Sequence, residues 1–280
     1  MKIKYNLLFT LSVLFIPISI CFGQSYDEYI QNGKNEYINK SYEKAIEYLN
    51  NAIEINPQIA EARFYRGLCF YEMRNYEKAI NNFEMVIYLN PKNKEAYYFC
   101  GKAYYGLNSR SYDDIDHAIA MFDEAIKIDP RYAEAYNSRG LADIKSFYSS
   151  KKEEAINDFT NAILLKPDYI EAYMNRGHAS NNSDSAIADY TKVIKLAPNL
   201  PDAYYWRGIR YLFYSHNHQN QAISDFSKVI ELNSIDANAY FYRGMAKFGL
   251  KDWIGACSDW KIAVNLGHEQ AAKNVDAYCK

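Results

Sequence analysis

The sequence predicts an all-α chain of seven stacked helix-turn-helix units closed by a short C-terminal helix. Three observations predict it: a composition poor in helix breakers and rich in rings, a glycine–alanine–proline pattern that returns seven times, and apolar residues that share one helical face within each unit. Among 280 residues there are 12 Gly and 7 Pro against 28 Tyr and 14 Phe. Few breakers and many large rings favour long helices with aromatic packing. Apolar types make up 49% and charged types 24%, which excludes a disordered or collagen-like polymer. Lys and Arg number 32 and Asp and Glu 34, a formal charge of -2. The cationic excess of a general nucleic-acid or anionic-membrane binder is therefore missing.

The first element is an address. Lys2 and Lys4 precede an apolar run from Leu7 to Ile16, Pro17 interrupts it, and small residues appear near Gly23. That is the order of a secretory signal peptide over residues 1–23, and the run is shorter than the ~20 residues a spanning helix needs. Cleavage after Gly23 removes two lysines and no acid, taking the formal charge from -2 to -4. The expected destination is the periplasm, the outer envelope or the medium, with no integral membrane segment left in the mature chain. Two alternatives stand beside cleavage: retention of the segment as a membrane anchor, and a lipid on Cys21, which follows Ile20 rather than the usual small residue.

The repeats come next. The glycines are Gly33, Gly67, Gly101, Gly140, Gly177, Gly208 and Gly244, and each is followed by an alanine: Ala45, Ala79, Ala118, Ala155, Ala186, Ala222 and Ala256. Twelve residues beyond each alanine stand Pro57, Pro91, Pro130, Pro167, Pro198, Ser234 and His268. Only the glycine-to-alanine step varies, at 12, 12, 17, 15, 9, 14 and 12 residues. Packed segments cannot absorb length changes without losing register, whereas a solvent-facing turn can. The variable joint is thus the turn inside each unit. The constant steps are helix plus a tight turn into the next unit. In the run 155–163 the apolar residues Ala155, Ile156, Phe159, Ala162 and Ile163 share one helical face. Proline after such a run ends it. The units span 26–59, 60–93, 94–132, 133–169, 170–200, 201–236 and 237–270, with 271–280 as the closing segment.

With an aromatic four before the glycine, then Ala-x-x-x-Phe, a further Ala and Pro, the pattern resembles the tetratricopeptide repeat (TPR) family. Residues 75–83, Asn-Tyr-Glu-Lys-Ala-Ile-Asn-Asn-Phe, with Pro91 are close to the second half of that repeat. The resemblance covers about residues 26–270. It implies a right-handed superhelical solenoid whose first helices (A) line a concave groove holding a peptide or a partner's helix. Departures are Arg63 in place of the aromatic in unit two, a shortened joint at Asn181–Asp184 in unit five, and Ser234 and His268 in place of proline. Gly267 can still terminate its helix in a left-handed cap.

Each repeated residue has a packing rationale. The glycine lets helix A approach the second helix (B), and the alanine opposite does the same. Phe83, Phe122, Phe159, Tyr190, Phe226 and Trp260 fill the space between units, and packing accounts for most tyrosines. One covariation predicts a clamp. Arg139, Arg176, Arg207 and Arg243 precede the glycine in units four to seven, the units that carry Asp158, Asp189, Asp225 and Asp259 three after the alanine. Unit two has Arg66 with Asn82, whereas units one and three have Asn32 with Tyr48 and Cys100 with Met121. Residues 269–278 read as an amphipathic helix crossing unit seven, which would bring Cys279 near Cys257. A disulfide between them and two free thiols are both open. Cys69 and Cys100 are expected as buried small hydrophobes.

For the groove implied by the resemblance, the inward candidates are Phe64, Leu68, Tyr71, Tyr98, Lys102, Tyr105, Asn137, Met174, His178, Tyr205, Ile209, Phe241 and Met245. Glu61, Glu95, Glu134, Glu171 and Asp202 form an acidic rim that points to a neutral or basic partner. Some family members clamp a carboxylate with Lys and Asn on the inner face. Here Lys34, Lys102 and Lys145 lack the Asn set, so a C-terminal peptide ligand is not indicated. Catalysis has little support. His216-x-His218 has no matching ligand set, Asp113, Asp114 and Asp116 read as a helix start rather than a calcium loop, and no phosphate loop, nucleophile elbow or zinc-protease motif occurs. The expected role is a non-enzymatic scaffold without cofactor or metal that binds a protein or peptide segment. The alternative is a small-molecule or glycan module that uses its rings as stacking platforms.

Overall fold

The computed structural model describes residues 25–107, 112–146, 151–214 and 217–279. The leader expected over residues 1–23 lies outside them. Fifteen α-helices occur among the described residues. The A helices are α1 (Tyr26–Ile38), α3 (Ala60–Glu72), α5 (Lys94–Gly106), α7 (Ala133–Lys145), α9 (Ile170–Ala179), α11 (Pro201–Tyr214) and α13 (Ala237–Gly249). The B helices are α2 (Tyr42–Ile55), α4 (Tyr76–Leu89), α6 (Tyr112–Ile128), α8 (Lys152–Leu165), α10 (Ser183–Leu196), α12 (Gln219–Leu232) and α14 (Trp253–Asn265), and α15 (Glu269–Tyr278) closes the stack. Each helix packs on its neighbours in sequence, and among the A helices α1 to α9 touch in succession and α11 touches α13. The fold is an all-α solenoid of seven helix pairs with a terminal helix. No described helix is long and apolar enough to cross a membrane.

The length changes fall where the constant steps place them. Every connection from the B helices α2, α4, α6, α8, α10 and α12 to the following A helix has four residues, while the connections within units differ in length. Side-chain caps start many helices: Ser25, Asn75, Asn93, Asn182, Asp236 and Asp252 each accept a backbone N–H from the first turn. In unit five the joint is narrower than the sequence reading: it covers Ser180–Asn182, and Ser183 and Asp184 already belong to the first turn of α10. Here α9 is cut to ten residues, and Arg210 of the next unit reaches back to donate to the carbonyls of Gly177 and Ser180 at 3.2 and 3.1 Å. An arginine from α11 thereby satisfies helix-end acceptors that the short turn leaves open. At the far end Gly267 takes a φ of +89°, and His268 caps α15 by accepting from the Ala271 N–H at 3.2 Å.

The core is a row of close approaches. A Cβ at Gly67 would lie 2.8 Å from the Phe83 ring, and one at Gly101 would lie 2.8 Å from Phe122 and 3.1 Å from the Ala118 carbonyl. Each ring therefore packs on the glycine of its own unit. It also meets the next unit: Phe83 stacks on Phe99, and Phe226 on Tyr242. Cys69 and Cys100 are buried and free. Burial pushes the Cys69 thiol up to about 12 and raises Cys100 as well, so neither supplies a thiolate at neutral pH.

Four arginines bind aspartates across their helix pairs. In each, Nε and Nη2 donate to the two carboxylate oxygens. The distances are 2.8 and 2.6 Å for Arg139–Asp158, 3.0 and 2.7 Å for Arg176–Asp189, 2.9 and 2.7 Å for Arg207–Asp225, and 2.9 and 2.6 Å for Arg243–Asp259. Two features go beyond the sequence reading. The third nitrogen, Nη1, crosses to helix B of the preceding unit, at Asp123, Thr160, Thr191 and Ser227, and Arg66 likewise reaches Asn50. Each guanidinium also lies over the tyrosine three residues before it, Tyr136, Tyr173, Tyr204 or Tyr240. Arg63, the exception to the aromatic position, donates to the Pro57 carbonyl as Tyr173 and Tyr204 donate to Pro167 and Pro198. In unit three, where Cys100 replaces the arginine, Tyr104 supplies the inter-unit bond by donating to Glu84 at 2.8 Å.

Burial raises Asp225 above the usual carboxylate value, opposed by its bonds from Arg207. The aspartate is the more buried partner, its side chain 5% exposed against 18% for the arginine. Arg207→Met should cost about 3–5 kcal/mol in urea unfolding, because it strands a buried charge. Asp225→Leu should cost less, since the guanidinium keeps Thr191 and some solvent. The double replacement should recover much of the loss. In Arg207→Met the folded carboxyl lies above its unfolded value, so its contribution is most favourable below the unfolded value and falls as pH rises. The gap from wild type should narrow as pH drops from 7 towards 4. Equal stability of wild type and both single variants would remove the clamp.

Cys257 and Cys279 form a disulfide with their Cα atoms 5.5 Å apart, tying the end of α15 to α14. Tyr278 brings its ring to Phe248 and Trp260, and Ala271 and Val275 join the same terminal cluster. Without such a cover the last repeat would present its apolar face to water. Reduction or Cys279→Ser should cost about 3 kcal/mol. Hydrogen exchange should show the loss first in α15 and α14, with α1 to α8 unchanged.

Candidate functional site

The A helices α1, α3, α5, α7 and α9 touch in succession and α11 touches α13, while no two successive B helices come comparably close among the described residues. Close spacing on one side of a stack curves it, so the A helices occupy the inner side. The groove candidates all lie on them, but burial divides them. Leu68, Asn137 and Phe241 are each 6% exposed and support the surface rather than line it. Asn137 accepts from the Asn175 amide at 2.9 Å, bridging α7 and α9, and Phe241 stacks on His268 at 4.2 Å between ring centroids. Phe64 is half-buried in a ring cluster with Tyr65, Phe83 and Phe99. Met174, Tyr205, Ile209 and Met245 are also half-buried, and Tyr205 meets Trp206, Phe226 and Tyr242 edge-on.

His178 is exposed at its surface but crowded by Tyr190 and Trp206, the latter at 4.8 Å. That desolvation, reinforced by Arg210, lowers its pKa against the opposing pull of Asp202. The imidazole is therefore neutral at physiological pH. Trp206, 38% exposed, is a ring on this face that the glycine spacing did not single out.

Tyr71, Lys102 and Tyr105 do come together. They line a pocket of about 350 Å³ between α3, α5 and α7, with Phe122, Ser138 and Leu141. The Lys102 ammonium lies 5.0 Å from the Tyr71 ring centroid, 5.6 Å from Tyr98 and 5.7 Å from Phe99. Lys145 lies over the Tyr105 ring at 4.6 Å and donates to the Tyr105 carbonyl at 3.3 Å. Burial pushes the Tyr71 hydroxyl up to about 12 and raises Tyr98, with Lys102 opposing the rise at Tyr98. These phenols are thus protonated hydrogen-bond donors throughout the neutral range. The pocket is lined mainly by apolar and aromatic groups with a few polar ones, the usual make-up of a recognition site. Sequence spacing found Tyr71, Lys102 and Tyr105. It missed Phe122 and Tyr76, which come from B helices, and Ser138, whose small polar side chain carries no periodic signal.

A larger cleft of about 610 Å³ lies at the turns of units two and three, where Arg74 and Glu77 face water. The acidic rim is paired in units two and four, while in unit three Lys94 holds Asp129 at 2.5 Å rather than Glu95. Lys34 pairs with Glu61, Lys166 with Glu134 at 3.4 Å, and Glu95 lies 3.8 Å from Lys94. Of the His216-x-His218 pair, His216 falls outside the described residues, and His218 stacks on Tyr211 at 5.5 Å. Asp113 and Asp114 occupy the first turn of α6. Among the described residues no group of three or more His, Cys, Asp or Glu could hold a metal ion.

Two family models described as tetratricopeptide repeat match residues 37–59 and 60–93. No curated protein sequence matches the chain. Solved structures resemble it in fold. The C-terminal part of a TPR repeat-containing protein from Cytophaga hutchinsonii is 20% identical with a TM-score of 0.68, over 87% of this chain and 98% of that one. A tetratricopeptide repeat protein from Parabacteroides merdae is also 20% identical, with a TM-score of 0.62 over 92% of this chain and 100% of that one. YrrB, a TPR protein with an unusual peptide-binding site, is 19% identical with a TM-score of 0.55 over 72% of this chain and 97% of that one. Residues 37–93 therefore match the tetratricopeptide repeat in sequence, and the chain as a whole shares the fold of these solved repeat proteins.

Proposed function

We propose that this protein is a non-enzymatic scaffold that holds a segment of another protein against its A-helix face. The observation that carries this reading is the pocket between α3, α5 and α7, where Tyr71, Lys102 and Tyr105 converge. Rings held rigid by their neighbours make good anchors, because little side-chain freedom is lost when a partner docks. A peptide-binding site in the structurally similar YrrB supports the same use of the fold.

The scaffold acts outside the cytoplasm, its leader removed after Gly23. The basic start and apolar run of residues 1–23 support export, and the Cys257–Cys279 disulfide fits an oxidising compartment. Trp206, exposed beside His178, favours the second reading of a glycan stacked on the same face. That reading predicts a tryptophan fluorescence change with free sugars.

A photo-crosslinking residue placed at Tyr105 should capture one protein band in the cell of origin. The same residue at Lys127, exposed on α6, should not. Adding Tyr71→Ala to the Tyr105 probe should reduce the yield several-fold. Equal labelling from both positions, or a yield indifferent to Tyr71, would refute the inner-face reading. Protease digestion of intact cells should spare a periplasmic pool, and recovery of the chain with its first 23 residues in the cytosol would refute export.

A further inference from the structure

We infer that the step between α9 and α11 holds a saccharide site, with Trp206 as its stacking platform and His178 and Asp202 as partners for the sugar hydroxyls. This rests on the glycan reading above, gives that reading its residues, and is independent of the pocket between α3, α5 and α7. Among the described residues, the step from α9 to α11 is the one place where successive A helices fail to come close. Side chains bridge it instead. Arg210 reaches back to the α9 carbonyls, and Trp206 meets His178 at 4.8 Å between ring centroids. The Trp206 ring stands at 87° to His178 and at 88° to Tyr205, so two neighbours fix its plane while 38% of the residue faces water. A ring held in this way loses little freedom when a ligand stacks on it.

The polar groups around the ring decide what stacks there. Burial pushes the Tyr190 hydroxyl up to about 12 against the pull of the Arg210 guanidinium beside it, so the phenol keeps its proton. Arg210 can only donate, which leaves that proton for His178 Nδ1, 3.4 Å from the Tyr190 oxygen. With Nδ1 accepting, the neutral imidazole carries its own proton on Nε2 and offers one donor. Asp202 lies one turn before Trp206 on α11 and close enough to His178 to act on it. It is exposed and, among the described residues, makes no hydrogen bond and no ion pair. The site thus joins an apolar ring, one donor and one free acceptor. Asp202 repels an anion, while the imidazole N–H and the nearby Arg210 disfavour a cation. What remains is a neutral molecule with an apolar face for the indole and edge hydroxyls that both accept and donate, which describes a pyranose.

The test probes the full chain against an array of neutral, anionic and amino-bearing oligosaccharides and against lysine-bearing peptides, followed by calorimetric titration of the best-bound sugar. Neutral sugars should dominate. Trp206→Ala should weaken that sugar about tenfold, Trp206→Phe should keep part of the affinity, and Asp202→Asn should weaken it several-fold. Trp253→Phe, at an exposed ring that opens α14, should leave the affinity unchanged. Trp206→Phe and Asp202→Asn should keep the wild-type melting temperature, because neither change removes a bond. A neutral sugar indifferent to both Trp206 and Asp202 would overturn this site and leave the glycan reading standing. Binding confined to charged sugars, or a lysine-bearing peptide that needs Trp206 in place of any sugar, would overturn the assigned ligand. No sugar bound at all would overturn the site and the glycan reading together.

Discussion

A guanidinium held by three parties sets the geometry of this solenoid. In units four to seven an arginine on helix A binds an aspartate on its own helix B with two parallel hydrogen bonds. It binds an oxygen on the previous helix B with a third nitrogen, and it lies over a tyrosine one turn earlier. Its planar fork fixes direction as well as distance, which a lysine could not do. The inter-unit bond spans 16 residues every time, from Arg66–Asn50 to Arg243–Ser227. The intra-unit bond spans 19 residues in unit four and 13 in unit five. The turn inside each unit can therefore lengthen or shorten without moving the contact that stacks one unit on the next.

Such a contact gives orientation more than net stability. The aspartates are nearly dry, and at Asp158 and Asp225 burial works against ionisation while the arginine favours it. Opposed terms of this kind leave a buried pair close to break-even against an apolar substitute, yet costly to half-remove. Apolar burial comes instead from the rings over the repeat glycines of units two to seven, Phe83 over Gly67 and Trp260 over Gly244 among them, and from Leu49 over Gly33 in unit one. Aromatic mass supplies the burial and the arginine selects the register.

Unit three stands apart, and the candidate site sits on it. Cys100 takes the arginine's position, Tyr104 carries the link to the preceding unit, and Lys102 on the next turn stays free of any acid among the described residues. Regularity elsewhere leaves room for such a departure, because each unit depends chiefly on its immediate neighbours. A surface for recognition can then be built from one irregular unit without unsettling the others.

Much of the architecture was legible in the sequence, because packing imposes spacing. A helix pair must keep its glycine, alanine and proline in step with the next pair, so seven helix pairs and the arginine–aspartate partners could be read from residue intervals. The closing helix at residues 269–278 followed from its amphipathic pattern. Tertiary structure alone decided the rest. The interval pattern carries no information on how deeply a side chain sinks, so Leu68, Asn137 and Phe241 read as groove residues yet are buried. Nor can it show a contact made between distant turns, such as Arg210 capping α9, or a charge that meets rings but no acid among the described residues, as Lys102 does. Periodicity records which face of a helix is covered. Only three-dimensional assembly determines what covers it.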